Sequence, residues 1–85
     1  MIRDIENLPQ DYIDNFYINV GKNIKRIREE KGISQLKLYL LMGHKSVSLV
    51  SCAEIYHNKQ KFNLEHLAKI AYILDVDICE FFKKN

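Results

Sequence analysis

The stretch from Gly32 to Glu54, GISQLKLYLLMGHKSVSLVSCAE, decides the fold. Gly32 and Gly43 each follow a helix-like run, and glycine just past a helix end accepts the left-handed backbone needed there. Both read as helix stops. After Gly32, Ser34 is a natural N-cap whose hydroxyl takes an orphan backbone N–H, and Gln35 to Met42 supplies about two turns of good helix formers. This predicts a short helix over 34–42. After Gly43 the polar run His44, Lys45, Ser46 interrupts the apolar pattern. A second helix starts at Lys45 or Ser46 and reaches Tyr56, with Leu49, Val50, Ala53 and Tyr56 on one side. The stretch reads as helix, tight turn, helix.

Upstream, Ile13, Tyr17, Val20, Ile24 and Ile27 recur at alternating spacings of four and three, an amphipathic stripe that runs through KRIREEK to Gly32. Pro9 suits a first helical turn, where its missing N–H costs nothing, and Asp11 and Asp14 favour the positive end of the helix dipole. A long helix is expected from there, with Gly21 as a place to split or kink it. Before Pro9, Ile2, Ile5 and Leu8 are spaced by three in a segment too short for a stable lone helix. Residues 1–9 are therefore an arm, and 10–85 the domain proper.

Downstream, YHNKQKFN is the one polar stretch long enough to be a loop, with Asn58 tolerant of positive φ and lysines at 59 and 61. Asn63 caps a helix whose Leu64, Leu67, Ala68, Ile70, Ala71 and Leu74 form a broad apolar face, and Glu65 sits well at its start. Asp77 with Glu80 three later resembles a capping box and opens a last short helix, ICEFFKK. Phe81 and Phe82 are adjacent and cannot both face one core, so one is left for a partner.

The composition sets the class. With 85 residues, 47% hydrophobic, 28% charged and one proline, the chain is a single soluble helical domain, and at this length it buries only ~60% of its unfolded surface. No apolar run approaches the ~20 residues of a membrane span, and MIRDIENL lacks a basic-then-apolar leader, so a cytoplasmic protein is expected. Cys52 and Cys79 have no CxxC pattern and read as packing residues in a reducing compartment. With His44, His57 and His66 they offer no structural-zinc spacing, and no metal or cofactor is expected. Glycine-rich phosphate loops, serine elbows and paired carboxylates are absent from the sequence, and an enzyme is not expected.

Net charge is only +2, but its distribution is uneven. Residues 1 to 21 carry one positive against four negative charges, 22 to 36 five against two, 37 to 64 four against one, and 65 to 85 three against four. The positive excess lies across the middle elements, where a nucleic-acid-facing surface needs it.

The order of elements carries a resemblance. Ser34-Gln35 at a helix start, Leu38, Gly43, a helix of apolar, small and serine residues ending in Glu54, then NLEHLAKIAYILDVDICEFF, together resemble the Cro and repressor type of helix-turn-helix proteins over roughly Val20 to Phe82. The resemblance implies an all-α, compact five-helix domain of the lambda-repressor-like type, with the helix-turn-helix unit at about 34–56 and a recognition helix at about 46–56 in the DNA major groove. It also implies DNA contacts from Ser34, Gln35 and Lys37 at the first helix, from Lys45, Ser46, Val47, Ser48 and Ser51 on the second, and phosphate contacts from Lys59 and Lys61 in the following loop. The function it implies is a sequence-specific double-stranded DNA-binding transcriptional regulator, acting as a homodimer joined through the chain termini.

Two departures from the family pattern bear on register. The residue four after Gln35, usually alanine at a close helix crossing, is Tyr39, and the distance from Gly43 to Glu54 is one residue longer than usual. A bulkier crossing residue and a longer turn compensate each other, since helices moved apart need more connecting chain. If the extra residue lies in the turn, Val50 and Ala53 point inward; if it lies after the helix, Leu49 and Cys52 do. The reading face also lacks Arg, Gln and Asn, the side chains that make bidentate base contacts. A protein-interaction module, such as an antitoxin or anti-regulator subunit that keeps the fold without strong DNA readout, is the alternative.

Overall fold

The computed structural model describes residues 1–43 and 48–85, and among these every regular element is helical. Four α-helices run in order: α1 (Tyr12–Glu30), α2 (Gln35–Leu41), α3 (Ser48–Glu54) and α4 (Leu64–Leu74). Single 3-10 turns stand at Ile5–Asn7, His57–Lys59 and Ile78–Phe82. The expected all-α class is thus observed, but the fifth helix is a five-residue 3-10 turn in place of an α-helix.

The helix ends follow local chemistry. Past α1, Gly32 takes a φ of 70°, and the N–H groups of Gly32 and Ile33 donate to the carbonyls of Glu29 and Arg28, the paired bonds of a Schellman stop. Ser34 Oγ accepts from the N–H of Lys37 at 3.0 Å and starts α2. Gly43 at φ 78° follows α2. Asn63 and His66 close a reciprocal capping box at the start of α4. Asp77 accepts from the Cys79 N–H, one residue short of Glu80, and Glu80 pairs with Lys83 at 2.7 Å instead of returning to the cap, so Asp77 is a simple N-cap and the expected second capping box is not made.

Among the described residues, fourteen apolar side chains form one core, drawn from α1 (Val20, Ile24, Ile27), from α2 and its end (Leu38, Tyr39, Met42), from α3 (Val50, Ala53), and from α4 (Leu67, Ile70, Ala71, Leu74), closed by Phe62 and Phe81. Tyr39 is inside, not in solvent. Val50 and Ala53 point inward while Leu49 and Cys52 are half-buried, which is the register expected when the extra residue lies in the turn.

Several expectations are corrected. Pro9 precedes the helix: its carbonyl accepts from the Tyr12 N–H, and α1 starts at Tyr12. Ile13 is exposed, because the stripe enters the core only from Val20 on and the first turns of α1 project past it. Gly21 neither splits nor kinks α1. It is buried where α1 crosses the end of α3, and a Cβ placed there would sit 2.9 Å from the Ala53 carbonyl oxygen. α3 ends at Glu54 and not at Tyr56, which adopts a left-handed φ of 56°. On α4, Leu64 and Ala68 face solvent, so the buried face is narrower than the apolar one. Cys79 is exposed and is not a packing residue; only Cys52 is half-buried.

The C-terminal segment is held by α1 through amides that the sequence does not advertise. The buried Asn23 side chain donates to the carbonyls of Phe81 (3.0 Å) and Lys83 (2.6 Å), and Asn19 donates to Lys83 at 2.9 Å. These carbonyls lie at and just past the end of the 3-10 turn, with no following helix to satisfy them. No helix among the described residues is long and apolar enough to cross a membrane.

Candidate nucleic-acid interface

Three elements meet at one buried ion pair. Arg28, in the last turn of α1, donates from Nε to Glu54 Oε2 at 2.7 Å and from Nη2 to Oε1 at 3.1 Å, and its Nη1 donates to the Ile33 carbonyl at 2.7 Å. Glu54 closes α3, and Gln35 at the start of α2 donates its side-chain amide to Glu54 Oε1 at 2.9 Å. One carboxylate thus collects α1, α2 and α3. Buried charges are tolerated when paired and hydrogen-bonded in this way, and removing one partner leaves the other stranded. The spacing in sequence gives no hint of the pair, since only the fold brings residue 28 to residue 54.

This lock has an electrostatic consequence. Glu54 is the one acid between residues 37 and 64, and it is sealed against Arg28, whereas Lys37, Lys59 and Lys61 are exposed. The region that carries α2, α3 and the loop after them therefore presents cations to solvent with no acid of its own among them.

The site residues expected from sequence divide into three groups. Ser34 is exposed, its oxygen engaged as the cap while its hydroxyl hydrogen can still be donated, and Lys37 is exposed one turn on. Gln35 is half-buried and turned toward Glu54, its amide keeping a second hydrogen that this bond does not use. Ser48 is exposed on α3, but Ser51 is half-buried and its hydroxyl donates to the Ser48 carbonyl at 3.2 Å, so Ser51 offers an outside partner only acceptor lone pairs. Lys45, Ser46 and Val47, with His44, lie outside the described residues.

The loop after α3 is pinned to α1 by an aromatic stack. Tyr56 lies parallel to Tyr17 with ring centroids 5.7 Å apart, and its hydroxyl donates to Asp14 Oδ1 at 2.8 Å. That bond, with the nearby negative charge, raises the Tyr56 hydroxyl above its ordinary pKa. Lys61 places its ammonium 4.7 Å from the Tyr17 ring centroid. An exposed cation–π contact is worth only ~0.5–1 kcal/mol and leaves all three ammonium donors usable. Tyr56, Asn58 and Lys59 all take left-handed φ values, so the loop's path is sharply set. Asn58 is the position sequence marks for this; Tyr56 and Lys59 are not residues that advertise it.

The remaining chemistry is sparse. No group of three potential metal ligands occurs among the described residues. The Cys79 thiol is pushed up in pKa by its hydrogen bond to Asp77 and by that carboxylate's charge, which lowers its reactivity. Comparison with protein-family models and with curated proteins finds no match to this chain.

Proposed function

We propose that this chain is a sequence-specific double-stranded DNA-binding transcriptional regulator, a cytoplasmic homodimer with no chemistry of its own, in which α2, the segment after Gly43 and α3 act as a helix-turn-helix unit. The observation that carries the reading is the Arg28–Glu54–Gln35 lock. It removes the single acid from the surface between residues 37 and 64 and fixes α3 across the start of α2, with Ser34, Lys37 and Ser48 outward. In this reading Ser34, Gln35, Lys37, Lys59 and Lys61 contact phosphates and set position, while Lys45, Ser46, Val47, Ser48 and Ser51 meet base edges.

Pairing fits the ends of the chain. Phe81 is fully buried and Phe82 is 38% exposed, stacked on the exposed Phe16 with centroids 6.1 Å apart. Tyr12 and Leu8 lie exposed nearby in sequence, and Ile2 and Ile5 stand open on the arm. Of the apolar residues at the ends, Phe81 belongs to the fold and Ile78 packs half-buried against the core, which leaves Ile2, Ile5, Leu8 and Phe82 for a second copy. Selection of bound duplexes from a random pool tests the reading: enriched sequences should carry an inverted repeat with half-sites about one DNA turn, roughly 34 Å, apart. A pool without any enrichment counts against it.

One observation favours the interaction-module reading. α2 exposes Leu36 and Leu40, one helical turn apart, beside the residues assigned to phosphate. Apolar side chains there suit a protein surface better than a polyanion.

A further inference from the structure

α4 carries a second apolar face that the core does not use. Leu64 is 77% exposed and Tyr72 87%, and exposed Ala68 lies midway between them, so the three recur at i, i+4 and i+8 along one stripe. Beside that stripe a groove of about 670 Å³ runs between the end of α2 and α4, lined by Leu41, Met42, Ala68, Lys69, Tyr72 and Ile73. Its one charged wall, Lys69, is paired along the helix with Glu65 at 3.7 Å, so the face has no net charge to repel an identical face.

We infer that this face is a self-docking surface, on which two copies meet through antiparallel α4 helices crossing at Ala68. The order large, small, large is self-complementary under a two-fold axis. Ala68 meets its own copy where the helices are nearest, and Leu64 of the second copy lies beside Tyr72, at the mouth of the groove. Interaxial distances of about 8–10 Å need a small side chain at the crossing, and Ala68 supplies it. Glu65 and Lys69 flank the stripe with opposite charges, so each copy can offer a cation to the other's carboxylate.

The area decides how strong this contact is. Leu64, Tyr72, Leu41 (48% exposed) and their neighbours open on the order of 500 Å² per copy, for side chains that bury ~150–250 Å² when large and aromatic. The total of about 1,000 Å² falls in the weak, transient class of interfaces. Such a contact forms readily only between molecules already held close, where effective concentrations reach ~mM. Resting on the DNA-binding reading, the face therefore joins dimers on adjacent sites and makes their occupancy cooperative; the association itself does not depend on DNA.

Cross-linking of the full chain without DNA tests it. With Cys52→Ser and Cys79→Ser to remove native thiols, Ala68→Cys should give a covalent dimer under mild oxidation at least tenfold faster than Lys22→Cys, an exposed α1 position. In sedimentation, wild type should pass beyond a dimer as concentration rises into the hundreds of micromolar, and Ala68→Arg should stop at the dimer. Phe82→Glu should still pair weakly through α4, and Phe82→Glu with Ala68→Arg should be a folded monomer by circular dichroism. Equal cross-linking rates at 68 and 22, or an unchanged distribution of species in Ala68→Arg, would overturn the inference. Cross-linking at 68 by a protein that binds no DNA would retain the surface and sink only the regulatory reading.

Discussion

Arg28 and Glu54, 26 residues apart in the chain, form a two-pronged ion pair with both side chains almost fully withdrawn from water. The pair ties the end of α1 to the end of α3, and Gln35 brings in the start of α2. If this lock sets the position of α3, its loss should be felt first in stability. Arg28→Ala or Glu54→Gln should cost about 3–5 kcal/mol, the usual result of stranding one member of a buried pair. For a domain with a total of ~5–15 kcal/mol, that is a large share. Urea melts measure it, and a loss under about 1 kcal/mol would show that the pair is not buried as described.

Gly21→Ala sets two effects against each other. In an open helix the change would stabilise by ~0.8–1 kcal/mol, since alanine is the better helix former. Here the added methyl meets the backbone at Ala53 and Glu54, which cannot swing aside as a side chain would. Overpacking of about 1–3 kcal/mol should win, and the variant should melt lower than wild type. A higher melting temperature would mean that α1 and α3 lie farther apart.

What the sequence makes legible is local. Ser34, Asn63, Gly32 and Gly43 act within four residues of where they stand, so their caps and stops are readable without knowing the fold. The inward register of Val50 and Ala53 is one of two alternatives the pattern allows. The rest depends on tertiary neighbours. Gly21 is a glycine because α3 passes over it, Asn23 is buried because the chain end returns to it, and Glu54 is buried because Arg28 meets it. Leu64 and Ile13 complete apolar stripes on paper yet face solvent, because a stripe shows which face can be buried and not how far the neighbours extend. Of the candidate site, Ser34 caps α2 as its sequence position predicts and Lys37, Lys59 and Lys61 are exposed, whereas the inward ties of Gln35 and Ser51 come from packing.

The Tyr56–Asp14 bond carries a pH dependence. Its hydroxyl is held above the ordinary tyrosine pKa in the folded chain, so the proton is bound more tightly folded than unfolded. That contribution is complete below pH ~10, the unfolded value, and is lost as pH rises through the raised folded value. The difference in urea midpoint between wild type and Tyr56→Phe should therefore hold up to about pH 10 and shrink as pH rises above it. A difference that stays constant would show that the hydroxyl is not hydrogen-bonded to Asp14.

Phe82 separates assembly from folding. Phe82→Glu alters an exposed ring and should give a folded chain that no longer dimerises at micromolar concentration, whereas Phe81→Glu puts a charge in the core and should unfold it. Sedimentation with circular dichroism distinguishes the two. A folded Phe82→Glu dimer of unchanged affinity would move the principal interface away from the termini.

The central claim is that the cationic surface around α2, α3 and the loop after them binds duplex DNA. Fluorescence anisotropy of a labelled random duplex, titrated at low and moderate salt, measures this directly. Binding should be present at low salt and should weaken steeply as salt rises, because phosphate contacts release counterions. Lys59→Ala and Lys61→Ala should each lower the slope of log affinity against log salt by about one, equally on every sequence. No binding at low salt, or an affinity indifferent to salt, would contradict the account and leave the protein-interaction module in its place.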